Sequence, residues 1–402
     1  MDDVSIDNLS GKDWTDKIIS ELKEMPNVIV KNRSQVFGYY DHNMLVMFER
    51  VGDHLENKSK FTPRQRLWYI RCKEVILSTG SIERPIVFGN NDTPGVMLAS
   101  GAKEYMKVYG VLVGKKPIIF TNNDSAYETA IEFKNNGAEP IVLDTRKEQD
   151  SELINEAKNK GVKIKFNHSV IKANGYKKVK SAIIGELTDD KRNYINTESI
   201  DCDCICVSGF WTPSVHLASQ SGNKLKFDKE IDSFIPDKSK QNETTVGAAS
   251  GHFTLNNTLN SGFKAGADIS KKINNKEINI QIPNVTEKKH EIHDKFWCSP
   301  LPKNISAKRF VDFQNDVAVS DIEIALREGY RSIEHVKRYT TLGMATDQGR
   351  TSNLNGLQLV SDIENKIVPE VGHTTFRPPF TPITIGTIVG REISKHFMPT
   401  RL

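Results

Sequence analysis

Gly114–Arg146 constrains this 402-residue chain more than any other stretch. It reads as strand (Pro117–Phe120), helix from Ser125 and strand (Pro140–Leu143). Ser125 and Glu128 have capping-box spacing, and Gly137 stands where a helix-ending glycine belongs. Two apolar strands joined by a helix make a βαβ unit, which requires a parallel sheet with helices against it. The predicted class is therefore α/β. A further αβ unit, Glu152–Phe166, and a hairpin, Val170–Leu187, extend the same domain. Its first turn is Thr121-Asn122-Asn123-Asp124, with no glycine fingerprint. Asparagine side chains crowd the place where backbone must approach a pyrophosphate, and Asp124 puts negative charge at a helix end that otherwise attracts phosphate. The unit has the shape of a nucleotide site and is expected not to hold a nucleotide.

Two other stretches carry cofactor signals. In Glu74–Gly101 an apolar strand, Val75–Leu77, stops at Ser78-Thr79-Gly80, and a helix is predicted over Val96–Tyr109. In Thr245–Asp268 a strand end at Val246 runs into Gly247-Ala248-Ala249-Ser250-Gly251, and a helix follows from about Thr254. Small residues before a helix admit a phosphate or a flavin-like ring; they also serve tight helix–strand packing, but together with the helix dipole they favour the cofactor reading. Upstream lie a helix, Trp14–Met25, and strand-like pieces at Val28–Val30, Ser34–Tyr39, Leu45–Val51 and Leu67–Arg71. Nothing before Gly80 fits G-x-G-x-x-G, so this domain reads as N-terminally incomplete, with its first helix packing on a sheet it does not fully contain.

The remaining chemistry-bearing patterns point elsewhere. Cys202, Cys204 and Cys206 alternate along Ile200–Gly209 and should face one side; three small buried side chains fit better than a thiolate metal site, which wants four ligands. Glu277–His293 is polar and reads as a linker, and His290-Glu291-Ile292-His293 lacks the spacing of a zinc motif. From Phe310 a small helical module follows. Ser320 and Glu323 are expected to cap its first helix, which Gly329 ends, and Ser332 to cap its second. A glycine-rich turn, Leu342–Gly349, leads to a third helix, Asn355–Glu364, and Thr374–Pro382 is a proline-stiffened extended piece. With 55 basic and 51 acidic residues the charge is +4, which gives no reason to invoke nucleic acid or a membrane surface. The acidic opening MDDVSIDNLSGKDW is unlike a secretory signal, no apolar run reaches membrane-spanning length, and five cysteines form no disulfide framework. A cytoplasmic location is expected.

Taken in order, ILSTGSIERPIVFGNNDTPGVMLA, FTNNDSAYETA, SGFWTPSVHLASQSGNKL, VDFQNDV, EGYRSIEHVKRYTTLGMATDQGRTSNLNG and PEVGHTTFRPPFTPITIG resemble the alpha subunit of heterotetrameric sarcosine oxidase from about Trp14 to the end. The resemblance implies a fold like the two-domain flavoprotein disulfide reductases, FAD/NAD(P)-binding proteins in which a second αβ domain interrupts the first. Here residues 1–95 and 200–275 would form the first, incomplete domain and 96–199 the insert. Residues 276–305 would be a linker, and 306–402 the module with its proline-rich extension. The module resembles a 2Fe–2S domain whose cysteine positions are taken by Asp312, Gln314, Asp347 and Ser352, so no 2Fe–2S cluster is expected.

The same resemblance implies NAD in the first domain, at Val36, Thr79, Gly80, Gly247, Ala248, Ala249 and Leu255. It implies FMN shared with the beta subunit, with Lys337 and Arg338 meeting its phosphate and Thr340, Thr346 and Gln348 its polar edge. Partners would be the beta, gamma and delta subunits, with no nucleic acid and no membrane. The activity implied is oxidative demethylation of sarcosine to glycine, with no catalytic residue assigned to this chain. The folate-binding aminomethyltransferase domain of the family is not in this sequence, and the isolated chain is expected to be inactive. The alternatives are an alpha subunit of a related amino-acid or opine dehydrogenase, and a non-catalytic scaffold.

Overall fold

A five-stranded parallel sheet stands at the centre of the computed structural model, which describes residues 4–287 and 293–393. The order across it is Lys163–Phe166, Ile141–Asp144, Pro117–Thr121, Cys204–Ser208, Val96–Leu98. Every residue of Pro117–Thr121 and Cys204–Ser208 is buried, as continuous apolar runs in the middle of a covered parallel sheet should be. Helices Ala99–Tyr109, Ser125–Asn135 and Glu152–Asn159 cover one face, where Met106, Tyr127, Phe133 and Leu153 pack on Ile119 and Val142. The other face, with Ile118, Phe120, Leu143 and Ile205, packs on an antiparallel sheet of His168–Gly175, Val179–Leu187 and Tyr194–Asp201.

This arrangement corrects several expectations. Cys204–Ser208 was assigned to the first domain but pairs in parallel with both Val96–Leu98 and Pro117–Thr121, so it belongs to the insert's sheet. Val96–Leu98 is that sheet's edge strand and not the first turn of a helix. Cys202 is out of phase with the other two cysteines. The chain bends at Asp203, whose carboxylate accepts the Lys115 and Lys116 amides, so Cys202 packs on one side of the sheet while Cys204 and Cys206 pack on the other. Gly137 does end its helix, with φ +78° and the Ala138 amide bonded to the Phe133 carbonyl. The Ser125–Glu128 capping box does not form: the Ser125 amide and hydroxyl bond to Asn123 Oδ1, and Glu128 pairs with Lys103.

The flanking part holds an antiparallel meander, Ser34–Tyr40, Met44–Arg50 and Gln65–Arg71; Val28–Val30 is irregular. Val75–Leu77 pairs in parallel with Glu243–Thr245, and Ser81–Glu83 pairs antiparallel with Trp211–Pro213 where the chain crosses to and from the insert. The N-terminal helix runs Gly11–Glu24. Its apolar Ile19, Leu22 and Met25 are exposed, so the expected packing on a sheet is not seen among the described residues.

The module comprises the hairpin Phe310–Asp312 with Val317–Ala318, and helices Val319–Arg327, Ile333–Thr340, Asn353–Glu364, Val368–Val371 and Ile385–Ile393. Its first helix starts before the expected cap, with the Ala318 amide bonded to Asp321, and Ser332 precedes the second without a side-chain cap bond. Trp297 and Val87 join its core, and the Val87 amide bonds the Trp297 carbonyl at 2.8 Å. The expected linker is thus part of the packing from His293 to Ser299. Of the histidine pair singled out in the sequence, His290 lies outside the described residues. No helix among the described residues is long and apolar enough to cross a membrane.

Candidate functional site

The adjacent parallel strands Val75–Leu77 and Glu243–Thr245 bring two of the expected cofactor turns side by side, with the Val246 amide on the Leu77 carbonyl at 2.9 Å. Gly80 and Gly247 both adopt the left-handed region, φ +71° and +67°, which favours glycine. The Thr79 hydroxyl is already engaged, donating to the Ser214 carbonyl at 2.7 Å. Ala249 is fully buried, and Val36 packs beneath the turns beside Tyr39 and Leu77. Leu255 opens a 20-residue helix ending at Asn274. Its amide donates to Glu287 Oε2 at 2.6 Å and the next amide, of Asn256, to Glu287 Oε1 at 3.0 Å. The helix end predicted to hold phosphate therefore holds a carboxylate of the same chain.

Beside these turns a cleft of about 620 Å³ opens between Ala248 and Gly251–Thr254 on one side and Asn123–Ser125 of the insert on the other. Of the seven residues expected to hold the dinucleotide, Ala248 alone lines it. The side chains of the asparagine turn are engaged within the protein. Asn123 is buried and donates to Ser208, Asn122 donates to the Asp294 carbonyl at 2.7 Å, and Asp124 and Asp144 each lie 2.7 Å from Arg146. Burial pushes the Arg146 guanidinium down, but its hydrogen bonds to Asp144 more than reverse this and hold it charged.

The cleft's aromatic wall was not read from the sequence. Phe210 has φ +79°, an unusual conformation for a bulky residue and one that surrounding structure must enforce. The enforcing group is Arg84. It is buried over Trp297 and donates to the Gly209 carbonyl at 2.7 Å, the Asp232 carbonyl at 3.1 Å and Ser233 Oγ at 3.2 Å, while its amide bonds the Phe210 carbonyl. Burial brings its guanidinium down to about 9 against the opposing pull of Asp232. Phe210 stacks on His293 at 4.0 Å and meets Phe253 edge-on at 5.1 Å. Burial, opposed by Asp232, holds the His293 imidazole below its usual range. Burial raises Asp232, but His293 at 3.8 Å and Lys295 at 2.9 Å more than offset it and keep the group low. A polar linker gives no hint of a histidine seated this way; the bulky Phe210 directly after Gly209 was the one available signal.

A second pocket, of about 560 Å³, lies on the module. Lys337, Arg338 and Gln348 line it, joined by Arg377, which sequence reasoning missed. Burial, reinforced by Arg377 and Arg338, lowers Lys337, and Glu334 works against them. Thr340 and Thr346 are spent on other bonds: Thr340 donates to the Val336 carbonyl at 2.8 Å and Thr346 to Gln314 at 2.9 Å. The glycine-rich turn folds around Asn353, whose amide oxygen a Cβ at Gly343 or Gly349 would strike. At the positions of the resembled cysteines, buried Asp312 accepts the Gln314, Asn315 and Gly343 amides and the Ser352 hydroxyl. No group of three or more His, Cys, Asp or Glu side chains suited to a metal occurs among the described residues.

Three comparisons bear on this architecture. A family model described as the sarcosine oxidase A3 domain matches residues 306–391, the module itself. Sarcosine oxidase subunit alpha of Rhizobium meliloti (strain 1021) is 36% identical over 405 residues, covering 100% of this chain and 39% of that protein. The subunit alpha of Corynebacterium sp. (strain P-1) is 34% identical over 413 residues, covering 100% and 42%. The chain thus spans about two fifths of the length of these relatives. Among solved structures, L-proline dehydrogenase from P. horikoshii superposes with a TM-score of 0.67 at 20% identity, over 96% of this chain and 69% of that one. The chain therefore shares the α/β fold of that dehydrogenase, and residues 306–391 form its small helical module. Over its whole length the chain is similar to the alpha subunits of sarcosine oxidase.

Proposed function

We propose that this chain is an oxidoreductase component of a sarcosine-oxidising complex, holding NAD between its two αβ parts and seating the phosphate of an FMN shared with a beta subunit. Gamma and delta subunits would complete the assembly, and the reaction served is the oxidative demethylation of sarcosine to glycine. The observation that carries this reading is the convergence of Lys337, Arg338 and Arg377 on one pocket, within the segment matched as a sarcosine oxidase A3 domain. A phosphate dianion fits such a set, since guanidinium groups bind it by paired hydrogen bonds. FMN, when bound, supplies reversible electron acceptance; the chain's part is to fix the phosphate and present Gln348 as a neutral hydrogen-bonding group. For NAD the fit is partial. Gly247 and Ala248 leave room for close approach, whereas the amides of Leu255 and Asn256 are taken by Glu287. The internally bonded helix ends favour one alternative, a scaffold that holds no dinucleotide.

The test is co-expression with a beta subunit, followed by measurement of flavin retained on the purified complex. Arg377→Gln and Lys337→Gln should each lower FMN occupancy at least tenfold while leaving the complex assembled. Undiminished occupancy in both variants would remove the module pocket from the FMN site. Equilibrium dialysis with NAD separates the holder from the scaffold.

A further inference from the structure

A third pocket, of about 40 Å³, lies where the short helix His216–Gln220, the start of Asn353–Glu364 and the extended Thr374–Pro382 segment meet. That exceeds the about 10–15 Å³ a single water needs and is far below the space a nucleotide or flavin fills. The pocket shares no lining residue with the one formed by Lys337, Arg338 and Arg377. Side chains alternate along the extended segment, so Thr374 and Phe376 line this pocket while Thr375 and Arg377 line the other.

The polar groups of this pocket are buried and unspent. The His216 ring lies 4.0 Å from Phe376 and 4.9 Å from Phe380, in a residue 5% exposed, and neither Nδ1 nor Nε2 has a hydrogen-bond partner among the described residues. Burial, reinforced by the Arg350 charge, brings this imidazole down to about 3, so it is neutral and offers one N–H. Thr374 Oγ1 and Arg350 Nε are likewise buried without partners. The rest of the Arg350 guanidinium lies over the Phe380 ring at 4.1 Å and donates to the Phe380 carbonyl. No carboxylate forms an ion pair with it among the described residues; Asp347, whose charge opposes the effect of burial on Arg350, accepts the Gly349 amide at 3.0 Å. Asn353 Oδ1 is also unpartnered and lies against Gly343 and Gly349.

We propose that this pocket is a seat for one small monoanion, of the formate or halide class, held by the Arg350 Nε–H, the His216 N–H and the Thr374 hydroxyl. A half-buried guanidinium without an ion pair is costly, and an anion accepting its free N–H offsets both the charge and the missing hydrogen bond. Water satisfies the same donors but leaves the charge unbalanced. The volume excludes phosphate esters, which separates this seat from the larger module pocket. The bound ion joins three segments far apart in the chain, so its effect is read as stability. The proposal is independent of the NAD and FMN readings.

The test uses the intact chain in buffer free of small monoanions, with ionic strength held by sodium sulfate. Thermal melting is followed as sodium formate, chloride or bromide replaces the sulfate, and NMR line broadening of chloride reports its binding directly. The expected result is saturable stabilisation by the monoanions, with chloride broadening that formate relieves. Arg350→Gln and His216→Leu should each raise the half-saturating concentration at least tenfold, and the near-isosteric Thr374→Val at least threefold. If either of the first two variants fails to fold, Thr374→Val and the chloride broadening on the unaltered chain decide the outcome. Tighter binding of formate assigns the seat to a small carboxylate and tighter binding of a halide to an inorganic ion; either upholds the proposal. Stabilisation that does not saturate, or that Thr374→Val shares unchanged, would overturn it and leave the pocket to water alone.

Discussion

Thr121–Ser125 and Gly247–Leu255 both carry the chain from the end of a parallel strand towards a helix, and they deal with the helix end in different ways. In the first, the turn's own asparagine caps the helix, and a buried Asp124–Arg146–Asp144 cluster fills the space behind it. In the second, small residues leave the turn open and the helix end is bonded by Glu287, a partly exposed residue far along the chain. Helix Ala99–Tyr109 follows the first pattern, with its Ser100 amide on buried Glu83 at 2.8 Å. A helix end is an anion site only while its amides are available. Buried side chains close these two helix ends of the insert, whereas a partly exposed carboxylate can be displaced without unfolding the turn.

The largest expected effect is at Arg146. Arg146→Met leaves Asp124 and Asp144 buried without their cation and should cost about 3–5 kcal/mol in denaturant unfolding. A loss under about 1 kcal/mol would show the Asp124–Arg146–Asp144 cluster to be less tightly coupled than its geometry indicates. Asn123→Ala removes the cap and the bonds to Ser208, and about 1–3 kcal/mol should be lost. Glu287→Ala tests the open turn. Its stability should change little, but NAD should bind up to about tenfold more tightly by calorimetry, equivalent to about 1.4 kcal/mol, as two amides become available. An unchanged affinity would mean that the dinucleotide's phosphates sit elsewhere, and the contrast between the turns would lose its functional content.

The smallest effect is a slope. Burial raises the Glu83 carboxyl above its usual range, although the Ser100 bonds oppose this. The fold therefore binds that proton more tightly than the unfolded chain does. Stability from this group is complete below the ordinary glutamate range and falls as pH rises through the folded value. Glu83→Gln should remove that decline, and unfolding curves across mildly acidic pH would detect it.

How much of this was legible beforehand follows the range of the interactions. The βαβ unit could be read because its strands are continuous apolar runs and Gly137 marks a local backbone need. The crowding of the asparagine turn could be read for the same reason, since Asn123 bonds mainly to neighbours and to the strand beside it. The module pocket was read in part: Lys337, Arg338 and Gln348 lie close together in sequence, but Arg377 reaches them only when the extended TTFRPPFTP segment folds back. Thr340 and Thr346 do not line the pocket; each hydroxyl bonds within the module, to a carbonyl one turn earlier or to Gln314, and such a partner leaves no trace in composition.

By itself, the sequence determined the α/β class, the helical module and the crowding of the insert's first turn. Each of these rests on local patterning or on long strings of residues that survive whatever the chain's path. The tertiary structure alone decided that Cys204–Ser208 completes the insert's sheet, that Glu287 caps the long helix, and that His293 lies on Phe210 beside Asp232. These contacts join segments with no periodicity in common, and their energy comes from burial and hydrogen bonding that exist only once the segments meet.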